Sequence, residues 1–162
     1  MLVTRQFYGI LYLSVMHIMS GMLAGCLIGI CAGILSAQFD FLKEWLGIAV
    51  QLMKSLPVAA FIILVLMWWG SKNVTFIISA MVVIPMITTG VKEGIDNTDN
   101  KQIELARVYD MTAFNTFRYV YLTGVYPYIT AQLKVAAGMC FKAGISAEII
   151  GLVTGTLGTQ MY

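Results

Sequence analysis

The sequence predicts an all-α membrane protein, a polytopic helical bundle with about four spans, and three observations carry that prediction. Charge is scarce: 11% of the 162 residues are Asp, Glu, Lys or Arg, against 59% hydrophobic, where a soluble domain carries roughly 25% charged residues. Too few charges remain to cover a globular surface. Mean hydropathy is +0.84, and the apolar residues gather into four long runs. Those runs are far longer than the roughly 10-residue alternating strands of a membrane barrel. In lipid only helices and closed barrels satisfy their own backbone, so helices remain.

The first run, "FYGILYLSVMHIMSGMLAGCLIGICAGILS" over 7–36, has no formal charge unless His17 is protonated. It is about twice as long as the apolar stretch of a typical signal peptide and reads as a span. Gly21, Gly25, Gly29 and Gly33 recur at intervals of four. That spacing puts them on one stripe, where two helices can approach backbone to backbone. His17 reads as a histidine hydrogen-bonded inside the bundle, with a proton relay as the alternative.

The second run, 46–69, carries Lys54 and Pro57 in its first half and ends in the pair Trp68 and Trp69, at the depth of an aromatic belt. The third, 74–91, is short and contains Pro85. Each proline removes a backbone donor in mid-helix, which is tolerated where the freed carbonyl faces protein or a wet cavity. Such breaks occur along substrate pathways, so Pro57 and Pro85 are candidates to line one. The fourth run, 125–150, contains Lys134, Lys142 and Glu148. Charges at mid-bilayer are costly and call for partners on other helices or a wet path. Lys134, nearer the cytoplasmic end, can snorkel. Lys142 and Glu148 are too differently directed to pair with each other and join the path candidates, with interfacial placement as the plainer reading.

The connectors are "AQFDFLKEW", "GSKN" and a polar passage over 92–122, and the final "GLVTGTLGTQMY" looks like a loop. The whole of 1–162 reads as one transmembrane domain. The passage with its flank holds Lys92, Lys101, Arg107 and Arg118, while each other connector holds one lysine. Positive charge faces the cytoplasm, which places the passage inside and, by alternation, both chain ends outside. An additional helix before Met1 would restore the usual internal N-terminus.

The passage is the most informative stretch. Asp99 can cap a helix while Gln102 reaches back to it. A short helix then bears Ile103, Ala106 and Tyr109 on one side. Asp110 ends it, and Thr112 can cap a second short helix bearing Phe114, Phe117 and Tyr121. Aromatic knobs beside charges of both signs suit a helix-in-groove contact with a protein better than a helix lying on lipid.

"ELARVYDMTAFNTFRYVYLT" resembles the EAA loop of permease subunits of bacterial binding-protein-dependent ABC importers, where Glu-Ala-Ala is followed by Gly and later by Ile-x-Leu-Pro. Glu104, Ala106 and Leu122 match, and Val120 stands for Ile. Leu105 replaces the first Ala, Asp110 the Gly and Thr123 the Pro. Asp tolerates the left-handed conformation that the Gly serves. "KSLPVAAFIILVLMWWGSKN", "VVIPMITTGVKEGIDNTDNKQIELA" and "FKAGISAEIIG" with "GTLGTQMY" resemble, in order, further stretches of the nitrate/sulfonate/taurine branch. "SVMHIMSG" is similar to a start in which His17 replaces a usual Arg.

The resemblance implies the type I importer (MetI-like) permease fold, with one helix before Met1 and one after Tyr162 to complete six. It implies that the chain is the transmembrane, solute-conducting subunit of an importer in the bacterial inner membrane. Expected partners are two ATPase subunits, a second permease copy or related permease, an extracytoplasmic solute-binding protein and the lipid bilayer. The coupling residues would be Glu104, Ala106, Arg107, Asp110, Phe114 and Phe117. The chain lacks a GxxxxGK[ST] motif, so ATP and Mg would sit on the partners and no cofactor on this chain. No catalytic or metal-ligand constellation stands out: Cys26, Cys31 and Cys140 have no CxxC or Cys/His spacing and read as packing residues. A formal charge of +2 argues for no nucleic acid. The rivals are a secondary transporter or channel, a membrane-embedded enzyme, and a truncated inactive permease.

Overall fold

A computed structural model describes residues 2–71 and 73–151; the last part of the expected C-terminal loop, 152–162, lies outside the described residues. All regular structure in it is helical: α1 (Leu2–Gln38), α2 (Asp40–Ser55), α3 (Val58–Trp69), α4 (Val74–Asp96), α5 (Asn100–Val108), α6 (Ala113–Thr116), a π-helical turn (Phe117–Tyr121) and α7 (Leu122–Ile150).

The glycine stripe organises the bundle. An added Cβ at Gly21 would lie 2.5 Å from the Phe76 carbonyl oxygen, and one at Gly25 would lie 2.9 Å from that of Ala80. At Gly29 and Gly33 it would meet the Ile87 and Val91 Cβ atoms at 2.9 and 2.6 Å. Partner numbers rise together along both helices, so α1 and α4 run parallel in near backbone contact. Gly90 faces Gln132 and Gly94 faces Val125, while Gly144 faces Ser79 and Ile18. Those pairs run in opposite order, so α7 is antiparallel to α4. The ends of α1 and α4, and with them the polar passage, lie at one end of the bundle. Gly70, Ser71 and Gly151 lie at the other, as alternation requires.

Ile18, Val83, Ile87, Val125, Ala136 and Cys140 are buried together where α1, α4 and α7 meet. A second cluster seats α3 on α4 and α7 through Ile62, Val65, Val74, Ile78, Ala143 and Ala147. Helix α4 passes through Pro85 without a break. The Thr89 hydroxyl donates to the Pro85 carbonyl at 2.7 Å, and that of Thr88 to Ile84 at 2.8 Å.

The second run departs from the expected single span over 46–69. Leu56 and Pro57 are both extended, and α2 meets α3 at 100°. The cause is local: Pro57 has no N–H to donate and its ring disfavours helical Leu56. The connector expected over 37–45 also shrinks to Phe39, because α2 begins at Asp40. Helix α3 has 12 residues, about 18 Å at 1.5 Å per residue, short of a ~30 Å hydrocarbon core. By length and composition α1 and α4 can each cross a membrane, with the bent α2–α3 pair a third if it is one broken span. At 29 residues α7 is long enough, but Lys134, Lys142 and Glu148 interrupt its apolar character.

Candidate functional site

The polar passage is built as a cap, a helix, a turn and a second helix that does not stop. The Asp99 side chain accepts a hydrogen bond from the Lys101 N–H at 3.0 Å, satisfying one orphan donor of α5. A return bond from Gln102 is not formed among the described residues. Helix α5 ends in a Schellman arrangement: Met111 N–H donates to the Ala106 carbonyl at 3.0 Å, and Asp110 N–H to Arg107 at 3.1 Å. That motif needs a left-handed residue at the position of Asp110, and its φ is 46°. Asp110 is among the described residues the one non-glycine with positive φ.

Beyond the turn the structure corrects two expectations. Thr112 takes the N-cap position of α6, its carbonyl accepting the first helical bond from the Thr116 N–H at 3.0 Å, but its side chain makes no cap bond. The second helix is not a separate short one either: α6 runs through the π-turn directly into α7. No glycine or proline interrupts 113–122, so no strong breaker stops the helix. The π-turn inserts one extra residue, which rotates the face bearing Phe114 relative to the core face of α7.

The six residues expected at the coupling site share this turn. Ala106 is buried, and Glu104, Arg107 and Asp110 are exposed. Phe114 is 70% exposed and Phe117 49%, with Tyr109 and Val108 exposed beside them. Ile103, Ala106, Arg107, Asp110, Met111, Thr116 and Tyr121 line an open groove of about 530 Å³. The one ion pair among the described residues is Lys92–Asp96 at 3.7 Å, one turn apart on α4. Glu104 and Arg107 are thus not engaged with each other.

The four path candidates do not converge. Pro57 is exposed at the α2–α3 break, Pro85 is buried in α4, and Lys142 is exposed on α7. Glu148 is fully enclosed, its Oε2 accepting from the Ser14 hydroxyl of α1 at 2.9 Å. Its Oε1 and the Ser79 hydroxyl have no partner among the described residues. His17, expected inside, is exposed on α1. Its neighbour Ile18 holds the inward position, and one residue is 100° of rotation.

Two features escaped the sequence reading. Ser14 continues the register of Ile18, Gly21 and Gly25 one turn back, and that periodicity marks it as inward. The other is Lys54, in the last turn of α2, whose Nζ donates to the Thr89 hydroxyl at 2.7 Å. Lys54 and Pro85 border a cavity of about 300 Å³ between the α2–α3 break, α4 and α7. A lysine two residues before a Leu-Pro break was the available signal.

Comparison with known proteins bears on family and fold. Residues 29–162 match the family model described as binding-protein-dependent transport system inner membrane component. Over 119 residues the chain is 29% identical to a protein of Escherichia coli K12 named for aliphatic sulfonates transport, covering 70% of this chain and 45% of that one. Over 140 residues it is 28% identical to a choline transport system permease protein of Bacillus subtilis, covering 85% of this chain and 60% of that one. The chain spans about half the length of these relatives. A crystal structure of an amino acid ABC transporter with histidines matches 98% of this chain and 77% of its own with a TM-score of 0.78 at 19% identity. That likeness establishes the fold.

Proposed function

The chain belongs to the family of binding-protein-dependent transport system inner membrane components, and on that premise we propose that it is the membrane-spanning subunit of an ATP-driven importer. It is a transport component rather than an enzyme, and its place is the inner membrane. The bundle of α1, α3, α4 and α7 forms part of a path for a small solute brought by an extracytoplasmic binding protein. ATP and its Mg are bound and hydrolysed on two separate ATPase subunits, and a second permease, identical or related, completes the path.

The observation that carries this reading is the exposed turn over 99–122, at the end where α4 finishes and α7 begins. A rigid contact is what coupling requires, because nucleotide must bias two states differentially. The Schellman turn fixes α5 against α6, and the uninterrupted helix from Ala113 to Ile150 carries any push on Phe114 into the core. Phe114 and Phe117 fill a groove on the ATPase, Glu104 and Arg107 give polar anchorage, and Ala106 and Asp110 hold the turn's shape.

The test is affinity capture from solubilised membranes with the cognate ATPase co-expressed. Wild-type chain is expected to retain the ATPase, and Glu104→Ala with Phe114→Ala to lose it while eluting at the same volume. Retention by the double variant would move the contact elsewhere. No retention by wild type would leave the chain without its engine and overturn the coupling.

A further inference from the structure

We propose that the cavity beside Lys54 is a binding site for a small organic anion with an apolar body, and that Lys54 selects its charge. Calling that anion the cargo rests on the importer reading above; the site does not.

Eleven residues line the cavity, and Lys54 carries the one charge among them. The remainder are apolar, chiefly Met53, Phe61, Met81, Met86 and Met139 around Pro85. At about 300 Å³ it lies at the lower end of small-ligand pockets. The Lys54 ammonium has three donors. One is spent on Thr89, whose hydroxyl is itself fixed by donating to the Pro85 carbonyl. The others are available, and no carboxylate lies within ion-pair distance among the described residues. A tethered, uncompensated cation at an apolar cavity attracts an anion and repels a cation.

The chain geometry makes this arrangement specific to Lys54. The break at Leu56 and Pro57 is what turns the end of α2 towards Thr89. The C-terminal end of a helix also carries a partial negative charge, which holds a lysine in its last turn. Lys134 and Lys142 are exposed on α7 and are not among the residues lining this cavity. Thioether side chains adapt to apolar bodies of varied shape, so the methionines make the wall permissive while Lys54 supplies selectivity. Among relatives named for sulfonates and for choline, the site fits the anion. A quaternary ammonium would meet a like charge, no acid, and Phe61 as the one aromatic face where such cations are usually caged by several.

The experiment is saturation binding of radiolabelled pentane-1-sulfonate to the full chain in phosphatidylcholine nanodiscs, with choline as competitor. Saturable binding that excess choline leaves in place is expected. Lys54→Met should weaken it about ten- to a hundredfold, the loss of one charge-assisted hydrogen bond, and Lys54→Arg should restore most of it. Affinity should rise about fourfold for each methylene from ethane- to pentanesulfonate while the cavity fills. The proposal falls if wild type shows no saturable binding, if Lys54→Met binds like wild type, or if choline competes as well as the sulfonate. An anionic phospholipid offers the same chemistry. Abolition of binding by phosphatidylglycerol at a tenth of the lipid would assign the cavity to lipid and overturn the proposal. Capture of the ATPase from the same preparation separates the two readings. Sulfonate binding through Lys54 without capture keeps the site and sinks the coupling, whereas capture without sulfonate binding sinks the site alone.

Discussion

The seam between α1 and α4 and the turn between α4 and α7 are opposite solutions to the same requirement, holding helices in a fixed relation. Along the seam, small residues every fourth position remove side chains altogether, and two backbones meet with no space for a methyl group. At the turn, large side chains are kept and displayed: Val108, Tyr109 and Phe114 are exposed while hydrogen bonds, chiefly of the backbone, set the shape. Where apolar lipid supplies no hydrophobic drive between helices, close packing of the first kind holds the bundle together. Apolar groups displayed outside, on the charged side of the chain, are the ones assigned to a partner in the proposed coupling. If the proposed coupling is right, the difference separates residues that stabilise from residues that recognise, and substitutions should sort the same way.

The largest effect is expected at the seam. Gly21→Leu would drive a side chain into the Phe76 carbonyl, where the Cβ alone reaches 2.5 Å. A cost at or above the ~1–3 kcal/mol of typical overpacking is expected, read as loss of monodisperse protein or a lowered melting midpoint in detergent. Gly138→Ala on α7 is the control: nothing lies within 4 Å of its added Cβ. It should be neutral or should stabilise by up to ~1 kcal/mol through helix propensity. Equal behaviour of the two variants would break the distinction.

A smaller effect tests the polar contact inside the seam region. Ser14→Ala removes the donor to Glu148 Oε2 in a carboxyl group whose Oε1 is already without a partner. A loss of about 1–3 kcal/mol is expected. Glu148→Leu, which removes the carboxyl itself, should cost less than Ser14→Ala, since an apolar replacement leaves no buried acceptor unmet. The reverse order in thermal melts would show that Glu148 is held by more than Ser14.

How much of this could be read from residues alone follows the same divide. Periodicity exposes the seam, because glycines four apart must share a face whatever the tertiary fold. The αL role of Asp110 was legible through the family resemblance, in which it stands for the Gly of the turn. Direction around a helix was harder. His17 sits one position from the inward Ile18, and apolar surroundings on both sides gave no contrast to separate them. The 100° break at Pro57 was half visible: proline announces an interruption, but its angle depends on what α2 and α3 pack against. Lys54 was half visible for that reason: a lysine just before a Leu-Pro break is a signal, but a straight helix would carry it elsewhere. Thr112 was placed correctly as the residue before the helix, but its side chain makes no cap bond, a rotamer choice that sequence does not encode.

The smallest effect sharpens the comparison at its other pole. Asp110 holds φ 46° at the Schellman position, where a β-branched residue is strained and glycine is at ease. Asp110→Gly should leave the melting midpoint within the ±0.5 kcal/mol of an ordinary surface change, and ATPase capture intact. Asp110→Val should cost about 1–2 kcal/mol locally. That strain is confined to an exposed turn outside the core, so the global midpoint should move little while capture falls, because α5 can no longer hold its angle to α6. If Asp110→Val melts lower but captures as wild type does, the turn belongs with the seam as a stabilising element and its display of Phe114 is incidental. If capture falls and the midpoint holds, shape at the turn is kept for the partner alone.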